Sequence, residues 1–92
     1  MIDFIVHGKD DTVGVAVRDV ASGERLKGWN METGQTLEIV AAQPIPLGHK
    51  LALKPVSAGQ SVIKYNVAIG KAVAEIQAGQ HVHTHNLKSA RW

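Results

Sequence analysis

An all-β domain is the fold class that this sequence predicts, on three observations. Glycines punctuate the chain about every dozen residues, the stretches between them are short and rich in β-branched residues, and hardly any apolar run keeps a helical period. A polar, glycine-marked turn after each short apolar run is the signature of strands joined by tight connections.

The elements follow in order. Phe4–Val6 and Val13–Val20 are the first two strand candidates, each an apolar, Val-rich run. Thr36–Ala41 is the third. Pro44 and Pro46 then break the middle of the chain, because each fixes its own φ and pushes the preceding residue toward extended geometry. Gln43–Gly48 therefore reads as an ordered bend that enters Lys50–Lys54, within which Leu51–Leu53 is the strand candidate. Ser61–Tyr65 and Gln80–His85 complete the strands. Lys71–Ile76 is the one stretch expected to form a helical turn or a strand, since Val73 and Ile76 do not settle its period. Residues 87–92 read as a polar tail ending in Trp92, whose large apolar surface is expected to pack on this chain or on a partner.

A short motif recurs. Val20-Ala21-Ser22-Gly23-Glu24-Arg25-Leu26, Val56-Ser57-Ala58-Gly59-Gln60-Ser61-Val62 and Ile76-Gln77-Ala78-Gly79-Gln80-His81-Val82 share one pattern, with Asn30, Asn66 and Asn86 at the same distance beyond each copy. The physical reading is a turn-to-strand unit: glycine supplies a positive φ, a polar residue follows, and the next apolar side chain enters the core. The copies are too short and too unevenly spaced for a solenoid.

The chain has 92 residues, enough for a single domain over 1–92 with a modest core. That core is poor in aromatics, with Phe4, Trp29, Tyr65 and Trp92 alone, so it is expected to lean on a partner or on self-association. There is no cysteine, which excludes disulfides and thiolate metal sites. No secretory signal and no membrane-spanning run is evident, and a cytoplasmic protein is expected. The net charge of +2 is spread along the chain without clustering or interleaved aromatics, which argues against nucleic acid and fits a small anionic substrate.

The most informative segment is His81-Val82-His83-Thr84-His85-Asn86. On a strand, alternate residues share a face, so His81, His83 and His85 would project together as candidate metal ligands. Neighbours on that face are about 6.5–7 Å apart along the strand, so two imidazoles can converge on one ion but three on a straight strand cannot easily. A third ligand must come from elsewhere in the fold or another chain, with His49 the best internal candidate and His7 the next. His49 and His83 are also candidates for moving a proton near neutral pH. Lys50, beside His49, and Lys64 are candidates for holding a substrate carboxylate, with Asn86 as a further substrate-binding candidate.

Pro46-Leu47-Gly48-His49-Lys50, Val62-Ile63-Lys64-Tyr65 and Gly79–Asn86 resemble the SAF domain of the altronate and galactarate dehydratase family. The resemblance runs from about Phe4 to Trp92 and implies a β-clip fold. Phe4–His7, Asp11–Val15 and the Lys88–Trp92 ending are similar to the sulfolactate-cleaving branch of that family. The implied role is that of a small accessory subunit that completes the active site of a separate large catalytic subunit. The implied chemistry is elimination of water from a sugar acid, or of sulfite from sulfolactate, with a divalent metal, iron by family resemblance, at a site shared between the subunits. Asn66 stands where the family pattern leads one to expect glycine, which changes that turn.

A second function class is a non-catalytic binding module that holds a sugar acid or a protein partner without metal. A free-standing enzyme fits the sequence poorly, because it shows no nucleophile–base arrangement and no paired acidic motif.

Overall fold

The computed structural model describes residues 1–89 and contains nine strands and no helix among them. They are β1 (Phe4–Val6), β2 (Val13–Ala16), β3 (Arg25–Asn30), β4 (Thr36–Val40), β5 (Lys50–Ala52), β6 (Ser61–Lys64), β7 (Val67–Ala72), β8 (His81–Val82) and β9 (Leu87–Ser89). The all-β expectation holds. Six strands form one sheet in the order β4-β3-β1-β2-β5-β8, and β6-β7-β9 form a second. All pairings are antiparallel except β1 with β3.

Several boundaries differ from the sequence reading. β3 was not anticipated, because its alternation is carried by Leu26, Gly28 and Asn30 inward against Arg25, Lys27 and Trp29 outward, which is a weak apolar signal. The strand expected over Val13–Val20 stops at Ala16, and Val20 instead makes an isolated bridge to Ile45. Lys71–Ile76 forms no helix: Lys71 and Ala72 end β7, and Ile76 bridges Val56. The polar tail begins later than expected, since Leu87–Ser89 pair with β7. Trp92 lies outside the described residues.

The recurrent glycine motif is a real structural unit, and it has a fourth copy. Gly23, Gly48, Gly59 and Gly79 have φ of 88°, 83°, 88° and 85°. In each copy the residue after the glycine donates its N–H to the carbonyl three positions back: Glu24 to Ala21 (3.3 Å), His49 to Pro46 (3.0 Å), Gln60 to Ser57 (3.0 Å) and Gln80 to Gln77 (3.1 Å). The unmatched copy, Ile45–Leu51, escapes notice because proline and histidine occupy its polar positions. The buried residues that open the four units pair off as the bridges Val20–Ile45 and Val56–Ile76.

These turns are not equally tolerant. A Cβ at Gly59 would meet open space, whereas one at Gly79 would collide with the Val40 carbonyl. Gly59→Ala is therefore expected to cost about 1 kcal/mol through left-handed strain alone. Gly79→Ala is expected to cost roughly 3 kcal/mol, strain plus overlap with a main chain that cannot yield. Urea unfolding of the two variants checks the difference.

The apolar side chains collect into two cores. Phe4, Val6, Ala16, Val20, Leu26, Ala41, Ile45 and Leu51 form one, and Val13, Ala52, Val56, Val62, Ala72, Ile76 and Val82 form the other. β2 and β5 serve both cores, so this strand pair is the common wall. Beside the first core, the carboxylate of buried Asp3 accepts the Lys27 N–H at 2.8 Å and the Arg18 Nε–H at 2.9 Å. The backbone N–H of Lys27, helped by Arg18 and opposed by burial, holds the Asp3 carboxyl below the usual carboxylate range. A carboxyl depressed in the fold stabilises above its unfolded pKa of about 3.9 and loses that contribution as pH falls through its lower folded value. Thermal unfolding should therefore show an acid-side decline that is smaller in Asp3→Asn, whose stability is already reduced at neutral pH.

Candidate functional site

The site is assembled at the outer end of the β5–β8 pair. Lys50 lies opposite Val82 and Leu51 opposite His81, and one further step of the same antiparallel register sets His49 opposite His83. Residues that share a cross-strand row face the same way, and alternate rows share a face, so His49, His81 and His83 converge. The rings bear this out: His49 stacks on His83 with centroids 4.4 Å apart and on His81 at 5.0 Å. Nδ1 of His49 lies 2.8 Å from Nε2 of His81, a hydrogen bond between two imidazoles.

His49 is free to take part for a local reason. In the other three glycine turns the equivalent side chain folds back and accepts the N–H that opens its own turn: Glu24 from Ala21 (2.6 Å), Gln60 from Ser57 (2.7 Å) and Gln80 from Gln77 (2.8 Å). In the fourth turn that opening residue is Pro46, which has no N–H to offer. The side chain after Gly48 has nothing to cap, and the position is a histidine aimed across to the next strand.

β8 is only His81–Val82, shorter than the strand expected over Gln80–His85. Its end is enforced by Asn86, which is buried. The Asn86 Oδ1 accepts the His83 N–H at 2.9 Å, its Nδ2 donates to the His81 carbonyl at 2.8 Å, and its own N–H reaches the His83 carbonyl at 3.1 Å. Both ends of the amide are engaged in shaping this turn, so Asn86 holds the histidines in place. His85 keeps its exposed ring 5.3 Å from that of His81, tilted by 41°, but it stands outside the group of ligand atoms that converge.

One ring nitrogen from each of His49, His81 and His83 lies within 4.8 Å of the other two. Such a set fits a divalent transition metal: three imidazole donors, no competing carboxylate, and a solvent side left open by exposed His83. Burial, then the neighbouring imidazoles, pushes the His81 ring below the usual histidine range, which favours the neutral form a metal requires. The His81 main chain is pinned by its N–H to Gln43 Oε1 at 3.0 Å. Sequence reasoning missed Gln43 and the part Pro46 plays in freeing His49; alignment of Ile45–Leu51 with the other three copies is the signal that would have found the latter.

Beside the trio, Lys50, Ile69, His83, Thr84, Leu87 and Ser89 line a cleft of about 280 Å³. Lys50 is half-buried there, and burial first, with the charge of Lys64 second, pushes its ammonium below the usual lysine range. Among the described residues both ion pairs belong to Arg18, so neither lysine has a carboxylate partner. His7 is not near the trio; it stacks on Tyr65 with centroids 4.1 Å apart.

Residues 2–90 match the family model of the altronate/galactarate dehydratase SAF domain. The chain belongs to that family. It is 48% identical over 92 residues to the (2R)-sulfolactate sulfo-lyase subunit alpha of Chromohalobacter salexigens, covering 99% of this chain and 98% of that one. The subunit alpha of Paracoccus pantotrophus is 54% identical over 54 residues, covering 59% of this chain and 81% of that one. Altronate dehydratase of Bacillus subtilis is 38% identical over 89 residues, 97% of this chain but 17% of the dehydratase. The same SAF domain is thus found both as a small chain named as a subunit and as a minor part of a much larger enzyme.

Proposed function

We propose that this chain is the small accessory subunit of a metal-dependent lyase and that it completes the active site of a separate large catalytic subunit. The carrying observation is the convergence of His49, His81 and His83 beside a cationic cleft that contains no acidic residue. The near full-length similarity to a sulfo-lyase subunit favours sulfolactate as substrate, with a sugar acid such as altronate as the second choice.

His49, His81 and His83 would hold the cation through one ring nitrogen each. In this arrangement His49 and His83 serve first as metal holders, because one ring nitrogen of each lies within 4.8 Å of the other donors. A bound divalent cation supplies Lewis-acid stabilisation of the charge that develops on the carboxylate and hydroxyl of a 2-hydroxy acid. Iron is the metal that the family resemblance suggests, and imidazole donors accept it. Lys50, with the field of Lys64 behind it, holds the anionic head of the substrate in the cleft. The apolar side chains of Ile69 and Leu87 narrow the water around that head and so strengthen the attraction. Abstraction of the proton falls to the large subunit, since the described residues set no carboxylate at this cleft. The chain alone is inactive on this reading, and it works in the cytoplasm.

The test is reconstitution. Purified chain and purified large subunit are assayed separately and mixed, with sulfolactate and with altronate, and bound metal is counted. Activity and metal are expected only in the mixture. Full activity of the large subunit alone would overturn the reading, and metal-free binding of a sugar acid by this chain would favour a binding module. Lys50→Met is expected to raise KM at least about tenfold with a smaller change in kcat, as loss of one charge-assisted contact predicts.

A further inference from the structure

The tip of the β6–β7 hairpin carries a second built feature, one the histidine site does not use. Lys64-Tyr65-Asn66-Val67 reverses the chain with φ of 55° at Tyr65 and 59° at Asn66. Asparagine enters this left-handed region readily, but for a bulky aromatic it is strained. The strain is held by Asp11, itself 5% exposed, whose carboxylate accepts the N–H groups of Tyr65 (3.0 Å), Asn66 (2.7 Å) and Gly8 (3.0 Å). Asn66 extends the lock. Its Oδ1 accepts the Asp10 N–H at 2.9 Å, and its Nδ2 donates to Glu32, which also accepts the Lys9 N–H. Loops from both sheets are thereby fastened together.

What this framework displays is apolar. The Tyr65 side chain is 60% exposed, its ring stacked on His7 and the Lys64 ammonium 5.4 Å from its centroid. Met31, beside Glu32, is 51% exposed and Val67 60%. Folding of the chain gains little from holding a solvent-exposed tyrosine at a backbone geometry that asparagine or glycine adopts without strain. Preorganised, exposed aromatics of this kind are the usual anchors of protein interfaces.

We propose that Tyr65, backed by His7 and flanked by Met31 and Val67, is the anchor on which the large catalytic subunit docks. This rests on the accessory-subunit reading. Continuity points to that partner rather than to a second copy of the chain. Ile69 lines the cleft with Lys50 and His83, and Val67, two residues earlier on β7, faces the same way and pairs with Lys64 at the hairpin tip. This face of β7 leads from the cleft beside the trio to the tip that carries Tyr65. A body that closes the trio from solvent therefore lies over both.

Titration of each variant against the purified large subunit tests this. Tyr65→Asn relaxes the turn, so the isolated chain should melt no lower than the parent, while its affinity for the large subunit falls at least tenfold. The double variant Met31→Ser with Val67→Thr alters exposed positions alone and should weaken binding several-fold, which keeps the test sound if the first variant folds poorly. Unchanged affinity in both would overturn the docking site, as would loss of self-association with normal binding of the large subunit. Failure of the accessory-subunit reading looks different: there the parent chain itself neither binds the large subunit nor restores its activity.

Discussion

Changing His83 to alanine is expected to lower the activity of the reconstituted lyase at least about a hundredfold, with loss of the bound metal. Removal of residues that merely orient a metal ligand typically costs ten- to a hundredfold, so loss of a donor should cost no less. The fold should survive, because His83 is exposed and its turn is held by its main chain and by Asn86. His49→Ala and His81→Ala are expected to match it. His85→Ala is the deciding comparison, since His85 stands outside the converging group and should retain activity within about twofold by the small effect usual for surface changes. Metal per complex and turnover, measured on all four variants, separate the trio of His49, His81 and His83 from the linear set of His81, His83 and His85 that the sequence suggests. Equal losses for His83→Ala and His85→Ala would refute the cross-strand trio.

A loss of stability as large as that of Gly79→Ala is expected at Asp11. Its buried carboxylate accepts N–H groups from Gly8, Tyr65 and Asn66, and the neighbouring Thr12 exchanges main-chain and side-chain bonds with Ile63 at 3.0 Å each. Residues 11 and 12 thus fasten the β1–β2 loop to the β6–β7 hairpin. Asp11→Ala leaves the donors without an acceptor and frees a strained turn, at a cost of about 3 kcal/mol. For a domain of this size that is a fall in Tm of roughly 10–20 °C. Asp11→Asn should cost about half as much, because one oxygen can still serve Gly8 and Tyr65 while the amide group faces the Asn66 N–H. Calorimetry on the two variants checks the order, and a parent-like Tm for Asp11→Ala would show that the loops are held by other contacts.

Much of the fold was legible in the chain because it is written in short-range chemistry. Glycine at a positive φ, a polar residue after it and an apolar one next define a turn and the strand that follows. The asparagines at the matched positions also act locally: Asn86 and Asn30 are buried and cap their own turns, and Asn66 takes a left-handed conformation. What stayed hidden is equally instructive. β3 was obscured because its inward positions include Gly28, against which the Phe4 ring packs, so a core-facing position carries no apolar side chain.

The sequence by itself determined the all-β class, the punctuation of the turns, the family, and histidine as the chemistry-bearing residue. Only the tertiary structure decided which histidines meet. His49 and His83 are 34 positions apart in the chain and become cross-strand neighbours only once β5 pairs with β8, a register that no local pattern encodes. The same pairing, with the turn closed by Asn86, leaves His85 outside the converging ligand atoms although its ring stays 5.3 Å from that of His81. Local periodicity can assign side chains to a face of their own strand, but convergence on a point requires a second strand, and its register is set by burial of Leu51, Ala52 and Val82 in the two cores.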